Sequence, residues 1–178
     1  MQLEEVFLKD IIKRFKMYKE LGDKTLAQLN DEDVVYQPNE QSNSIAIIVQ
    51  HLHGNMLSRF TNFLTEDGEK PWRKRDGEFD KIILTKAAVV QLWNEGWACL
   101  MNALASLQPA DLMKTIYIRT EPLLVYDALL RQLAHYPNHV GQIQYIGKML
   151  KGAAWQPLSI PKGKSEDFNN RMATQPNT

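Results

Sequence analysis

A single cysteine, Cys99, leaves this 178-residue chain without a partner for an intrachain disulfide, and nothing in it points to an oxidising compartment. No apolar run approaches the roughly 20 residues that cross a bilayer. The opening residues Met1-Gln2-Leu3-Glu4-Glu5 lack both the basic and the apolar stretch of a secretory signal. Net charge is missing too. With 21 basic and 21 acidic residues there is no field to draw in nucleic acid or an anionic membrane. The densest basic run, Arg73-Lys74-Arg75, is bracketed by Glu69, Asp76, Glu78 and Asp80 and reads as a solvated loop. These absences predict a cytoplasmic, soluble chain that folds as one domain over residues 1–178.

Helical periodicity is abundant. A first segment runs from about Leu3 to Leu29, with Val6, Leu8, Ile11, Ile12 and Phe15 recurring at spacings of three and four. Gly22-Asp23 is expected to break it, with a short helix around Leu26 and Leu29 after the break. Asp31 to Ser42 is polar, contains Pro38 and reads as a connection. A second segment starts at Ser44, a good N-cap, and extends to about Leu64. A third spans about Thr85 to Leu107 and stops before Pro109. A fourth runs from about Pro122 to Leu150. Between the second and third, Thr65 to Lys81 is long and irregular, a candidate lid or binding loop. Thr115–Thr120 is the only plausible strand. The tail from about 153 is proline- and glycine-punctuated, and Trp155, Leu158, Ile160 and Phe168 are expected to pack back on the core. Four amphipathic helices and one long crossover loop predict an all-α, four-helix-bundle fold.

Histidine is scarce as well, at four residues, and its placement carries the functional signal. His135 and His139 are four apart on the last helix, so their imidazoles stack on one face and can share an ion. Arg131 and, half a turn on, Gln142 lie on that polar line. Pro137 falls between the histidines, where it removes an amide donor at a cost of roughly 3 kcal/mol and predicts a kink. On the second helix His51 and His53 point about 200° apart, so at most one can join the pair. The helical wheel leans towards His53, while Asn55 and Arg59 share the flank of His51.

Other candidates are weaker. Gly163-Lys164-Ser165 lacks the earlier glycine of a phosphate loop, since Leu158 stands there, and has neither a preceding strand nor a clear following helix. Cys99 lies among apolar residues and reads as buried rather than nucleophilic. Trp72, Trp93 and Trp97 read as core. Glu95 and Asp127 are possible supports for ligand N–H groups. No Glu-x-x-His pattern of a di-iron bundle is present.

Asn43-Ser44-Ile45-Ala46-Ile47-Ile48-Val49-Gln50-His51-Leu52, with His135-x-x-x-His139-Val140-Gly141-Gln142-Ile143, resembles the DinB/YfiT superfamily of metal-dependent four-helix bundles. Asp67-Gly68-Glu69-Lys70-Pro71-Trp72, Trp93-x-x-Gly96-Trp97, Gln132-Leu133-Ala134-His135-Tyr136 and Leu158-Ser159-Ile160-Pro161-Lys162-Gly163-Lys164-Ser165 resemble its DUF1572 branch, and the likeness extends to about Asn169. The resemblance implies His51, His135 and His139 as the ligands of one divalent ion; histidine donors accept zinc or nickel first, with iron as a further option. It overrides the wheel and leaves His53 as a surface or supporting residue. It also implies a reaction class, that of a thiol S-transferase using a low-molecular-weight thiol. The polar line of the last helix and the flank of His51 make Asn55, Arg131 and Gln142 the expected pocket residues for a small-molecule substrate. A metal-dependent hydrolase, or a non-catalytic metal-binding bundle in a stress response, are the alternatives. A homodimer through helix faces is a further expectation.

Overall fold

A computed structural model describes residues 2–80 and 84–174, and they are mostly helical. Four long helices dominate: α1 (Leu3–Ala27), α3 (Ile45–Phe60), α4 (Lys86–Ser106) and α5 (Val125–Lys151). A one-turn helix α2 (Asp31–Val35) precedes α3, an antiparallel hairpin β1 (Thr115–Ile118) and β2 (Glu121–Leu124) precedes α5, and α6 (Ser165–Thr174) lies in the tail. Helix α3 packs chiefly on α4 and α1 chiefly on α5, with α3 also reaching α5. Among the described residues, no helix is long and apolar enough to cross a membrane.

Local chemistry sets the helix ends. Ser44 Oγ accepts from the Ile47 amide at 3.3 Å and Thr85 Oγ1 from the Ala88 amide at 3.2 Å, satisfying donors that the first turn leaves unpaired. Asn30 and Asp33 cap each other reciprocally, at 2.8 and 2.9 Å, and fold Asp31–Val35 into α2 where composition alone suggests a connection.

Helix α1 runs unbroken through Gly22, against expectation, because this glycine is a packing device. A Cβ there would lie 2.2 Å from Trp93 Cζ2, so the missing side chain admits the indole of α4. Trp93, Trp97, Tyr136 and Phe15 then form the aromatic centre of the core, with Phe15–Trp97 and Trp97–Tyr136 centroids 6.5 and 6.1 Å apart. Trp72, by contrast, is exposed.

The last long helix starts at Val125, three residues after Pro122. Pro122 belongs to β2, opposite Tyr117, so the expected strand has a partner hidden by its proline and leucines. Helix α5 continues through Pro137 without interruption. In the tail, Trp155 packs towards Gly147, and Gln28 and Gln156 exchange hydrogen bonds of 2.8 and 3.2 Å, which pin the segment to the end of α1. Leu158 and Phe168 are partly covered, Ile160 is exposed, and α6 buries no residue. Helix α6 begins at Ser165, so a helix does follow Gly163-Lys164-Ser165. Lys81, the end of the expected loop, and residues 175–178 of the tail lie outside the described residues.

Candidate metal centre

The fold brings His51 from α3 to His135 and His139 from α5, with one ring nitrogen of each within 4.8 Å of the others. His135 Nε2 lies 3.1 Å from His139 Nε2 and 3.4 Å from His51 Nε2. His53 points elsewhere, with its Nε2 3.3 Å from Glu95 Oε2 on the α4 side. Glu95 therefore faces the extra histidine rather than the cluster. Asp127 is exposed, and Cys99 contacts Thr61 and the Met56 carbonyl on the α3–α4 interface.

The outer ring nitrogens are all engaged. His51 Nδ1 donates to Glu78 Oε2 at 2.9 Å, and His139 Nδ1 to the Gln142 amide oxygen at 2.8 Å. His135 Nδ1 lies 3.4 Å from the Gln132 amide oxygen. A carboxylate only accepts, so His51 must carry its proton on Nδ1, and the amide oxygens select the same tautomer in the other two rings. Three Nε2 lone pairs then face one another, an arrangement that repels unless a cation lies among them. A tetrahedral ion with N bonds of about 2.0–2.1 Å spaces its ligand nitrogens about 3.3 Å apart. The 3.1 and 3.4 Å separations of His135 from its two neighbours fit that spacing, and the His51–His139 pair lies within 4.8 Å. The three histidines could thus hold a metal ion.

Neutral imidazoles suit this role, and the surroundings favour them. Burial, then the charges of His139, His51, Arg59 and Arg73, push the pKa of His135 down to about 4. Burial also lowers that of His139, against the Gln142 hydrogen bond.

The segment expected to be a lid or a binding loop forms a wall of the site. Arg73 is buried, not solvated, because its Nε and Nη2 form a fork on Glu78 at 2.7 and 2.9 Å. Burial opposes ionisation of Glu78, but the Arg73 and His51 hydrogen bonds hold its pKa below the usual carboxylate value. Gly54, one turn of α3 beyond His51, makes room for that carboxylate: a Cβ there would lie 2.2 Å from Glu78 Oε1. Phe79 stacks against the His51 ring at 4.7 Å between centroids. Asn55 accepts from the Tyr136 hydroxyl at 3.0 Å, and burial raises the Tyr136 pKa and keeps this donor protonated.

Asn55 and Arg131 line a cavity of about 330 Å³ with His51, His135, Gln132 and four further arginines. Gln142 is not part of it. Gln142 orients His139 and borders a neighbouring groove with Pro137. Sequence reasoning missed Glu78, Gln132 and Arg73. Gln132 carried a signal, since it sits one turn before His135, as Gln142 sits one turn after Asn138–His139. Glu78 and Arg73 carried none beyond their charge.

A family model described as "Protein of unknown function (DUF1572)" matches residues 2–164. The chain belongs to the DUF1572 family. The match takes in all three clustered histidines, Glu78 and every arginine of the cavity. No curated protein matches the chain.

Proposed function

We propose that this DUF1572 protein is a metal-dependent S-transferase that binds one divalent ion through His51, His135 and His139 and joins an intact low-molecular-weight thiol, through its sulfur, to an electrophilic substrate, the thiol proton passing to solvent. The observation that carries the metal reading is the convergence of three Nε2 atoms whose Nδ1 partners are already engaged. Nitrogen donors of this kind suit zinc or nickel, with iron as a third option. Three protein ligands leave a coordination position for a substrate atom, the arrangement of catalytic rather than structural sites. The reaction class rests on the resemblance to the DinB/YfiT superfamily, and with it the proposal that α1, α3, α4 and α5 form a DinB-type four-helix bundle. When bound, such an ion supplies a Lewis acid that favours the ionised form of a thiol near neutral pH.

The chain's own residues do the rest. Glu78, Gln132 and Gln142 fix the three rings in the tautomer that presents Nε2. Phe79 covers one face of His51 and limits access of water. Tyr136 holds the Asn55 side chain at the cavity wall, where its amide can orient a substrate.

Untagged protein is expected to carry about one divalent ion per chain by elemental analysis, lost in His51→Ala, His135→Ala and His139→Ala and retained in His53→Ala. Equal metal content in all four variants sinks the ligand assignment. For the reaction class, adding a thiol to cobalt-substituted protein should change its visible spectrum. A spectrum indifferent to thiols counts against S-transfer.

A further inference from the structure

Arginine gathers around the cavity beside the histidines to a degree that their support does not require. Arg59 and Arg73 are buried, while Arg75, Arg119 and Arg131 are exposed, and no carboxylate is among the lining residues. The acids that reach these guanidinium groups are few. Glu78 is shared between Arg73 and His51. Glu69 is shared between Arg59 at 3.0 Å and Arg119 at 3.1 Å. Asp76 lies 3.5 Å from the exposed Arg75. Among the described residues Arg131 has no ion-pair partner. Positive charge is therefore in excess at a cavity with a buried floor.

One donor is left over in that floor. Arg73 Nη1 is buried and makes no hydrogen bond; Glu69 Oε2, at 3.9 Å, is too far to accept one. An unpaired charged donor in a buried position is costly unless something accepts from it. Arg59 shows the same crowding: burial lowers its pKa, Glu69 opposes that, and the charge of Arg73 adds to it.

The arginines are also held in place at some cost. Arg119 and Thr120, at the tip of the β1–β2 hairpin, both have positive φ, 56° and 65°. Neither is glycine, so each carries roughly 1–2 kcal/mol of backbone strain. Asp67 compensates by accepting both of their amides, at 2.9 and 2.8 Å. That clamp presents Arg119 to the cavity. Arg75 is set by stacking on Phe79, 5.2 Å from the ring centroid.

We infer that this cavity binds an oxyanion group, a carboxylate or a phosphate, of the substrate that reacts beside His51 and His135. Guanidinium forks match either group through paired N–H donors, which lysine could not do as well. Assigning the anion to the substrate rests on the metal-enzyme reading; the binding of an anion does not.

The test is calorimetric titration of the full chain with inorganic phosphate and, separately, malonate. Saturable binding of at least one is expected, with a Kd below about 10 mM. Preference for phosphate or for malonate tells a phosphorylated from a carboxylated substrate. Arg131→Gln and Arg75→Gln remove exposed side chains and leave the Arg73–Glu78 fork intact. Each should weaken binding by about ten-fold or more, while Arg171→Gln on α6 should not change it. His139→Ala removes a candidate ligand but no cavity residue, so anion binding should survive there even when metal is lost. Absence of saturable binding overturns the inference. So does binding that ignores both arginine variants and disappears in His139→Ala, since the anion then sits on the metal. Anion binding in a protein that takes up no metal leaves this inference standing and the metal reading refuted.

Discussion

Glycine to alanine within a helix ordinarily stabilises a protein by about 1 kcal/mol, and Gly54 should reverse that sign. Its α3 backbone is ordinary helix, so propensity favours alanine. The obstacle is Glu78 Oε1, only 2.2 Å from where the new Cβ would stand, whereas real Cβ contacts essentially never fall below 3.0 Å. The carboxylate must retreat by at least 0.8 Å, the difference between those values. It is not a free end. Arg73 holds Oε1 at 2.7 Å and Oε2 at 2.9 Å, and His51 holds Oε2 at 2.9 Å. Losing one such charge-assisted bond costs about 1.5–3 kcal/mol, which exceeds the propensity gain. Gly54→Ala should therefore be less stable than the parent by about 0.5–2 kcal/mol in urea denaturation. Because Glu78 orients His51, its affinity for metal should fall by about 10–100-fold in competition with a chelator. Gly141→Ala is the matched control: it lies on α5 with nothing within 4 Å of its Cβ position, and alanine there should stabilise without changing metal affinity. If Gly54→Ala behaves like Gly141→Ala in both measurements, the Glu78 clamp is not what supports His51.

Gly22→Ala drives a Cβ into the buried Trp93 ring, 2.2 and 2.4 Å from two of its atoms, and should destabilise by about 1–3 kcal/mol in urea denaturation, with little effect on metal affinity. In metal-free protein, His135 makes stability pH-dependent: its pKa falls from 6.5 to about 4 on folding, so the unfolded chain binds the proton first on acidification. Its contribution is complete above about pH 6.5 and is lost as pH falls towards 4. The full shift corresponds to about 3 kcal/mol, and partial exposure of the ring reduces this to about 1–2 kcal/mol. His135→Gln should flatten that part of the stability profile, and an unchanged profile refutes the assignment.

The four long helices were legible because burial imposes a period on each of them separately, as at Ile45, Ile48, Val49, Leu52 and Met56 on α3. Their starts were legible where a side chain caps its own helix, at Ser44 and Thr85. Errors came where a residue's meaning lies in a distant partner. Gly22 looks like a breaker until Trp93 is placed against it. Pro122 looks like a helix start until β1 pairs with it. Arg73 looks solvated until Glu78 folds over the site.

The sequence by itself determined that His135 and His139 share a face, since a four-residue step on a helix is a local geometric fact. It also determined that only one of His51 and His53 could join them. Periodicity leaned to His53 and the family resemblance to His51; packing gives the physical reason for His51, since α3 presents it to α5 and turns His53 towards Glu95 on α4. The gathering of five arginines at one cavity was likewise beyond any local pattern. They come from α3, the segment after it, the hairpin tip and α5, and only the folded chain brings those four stretches to the same 330 Å³.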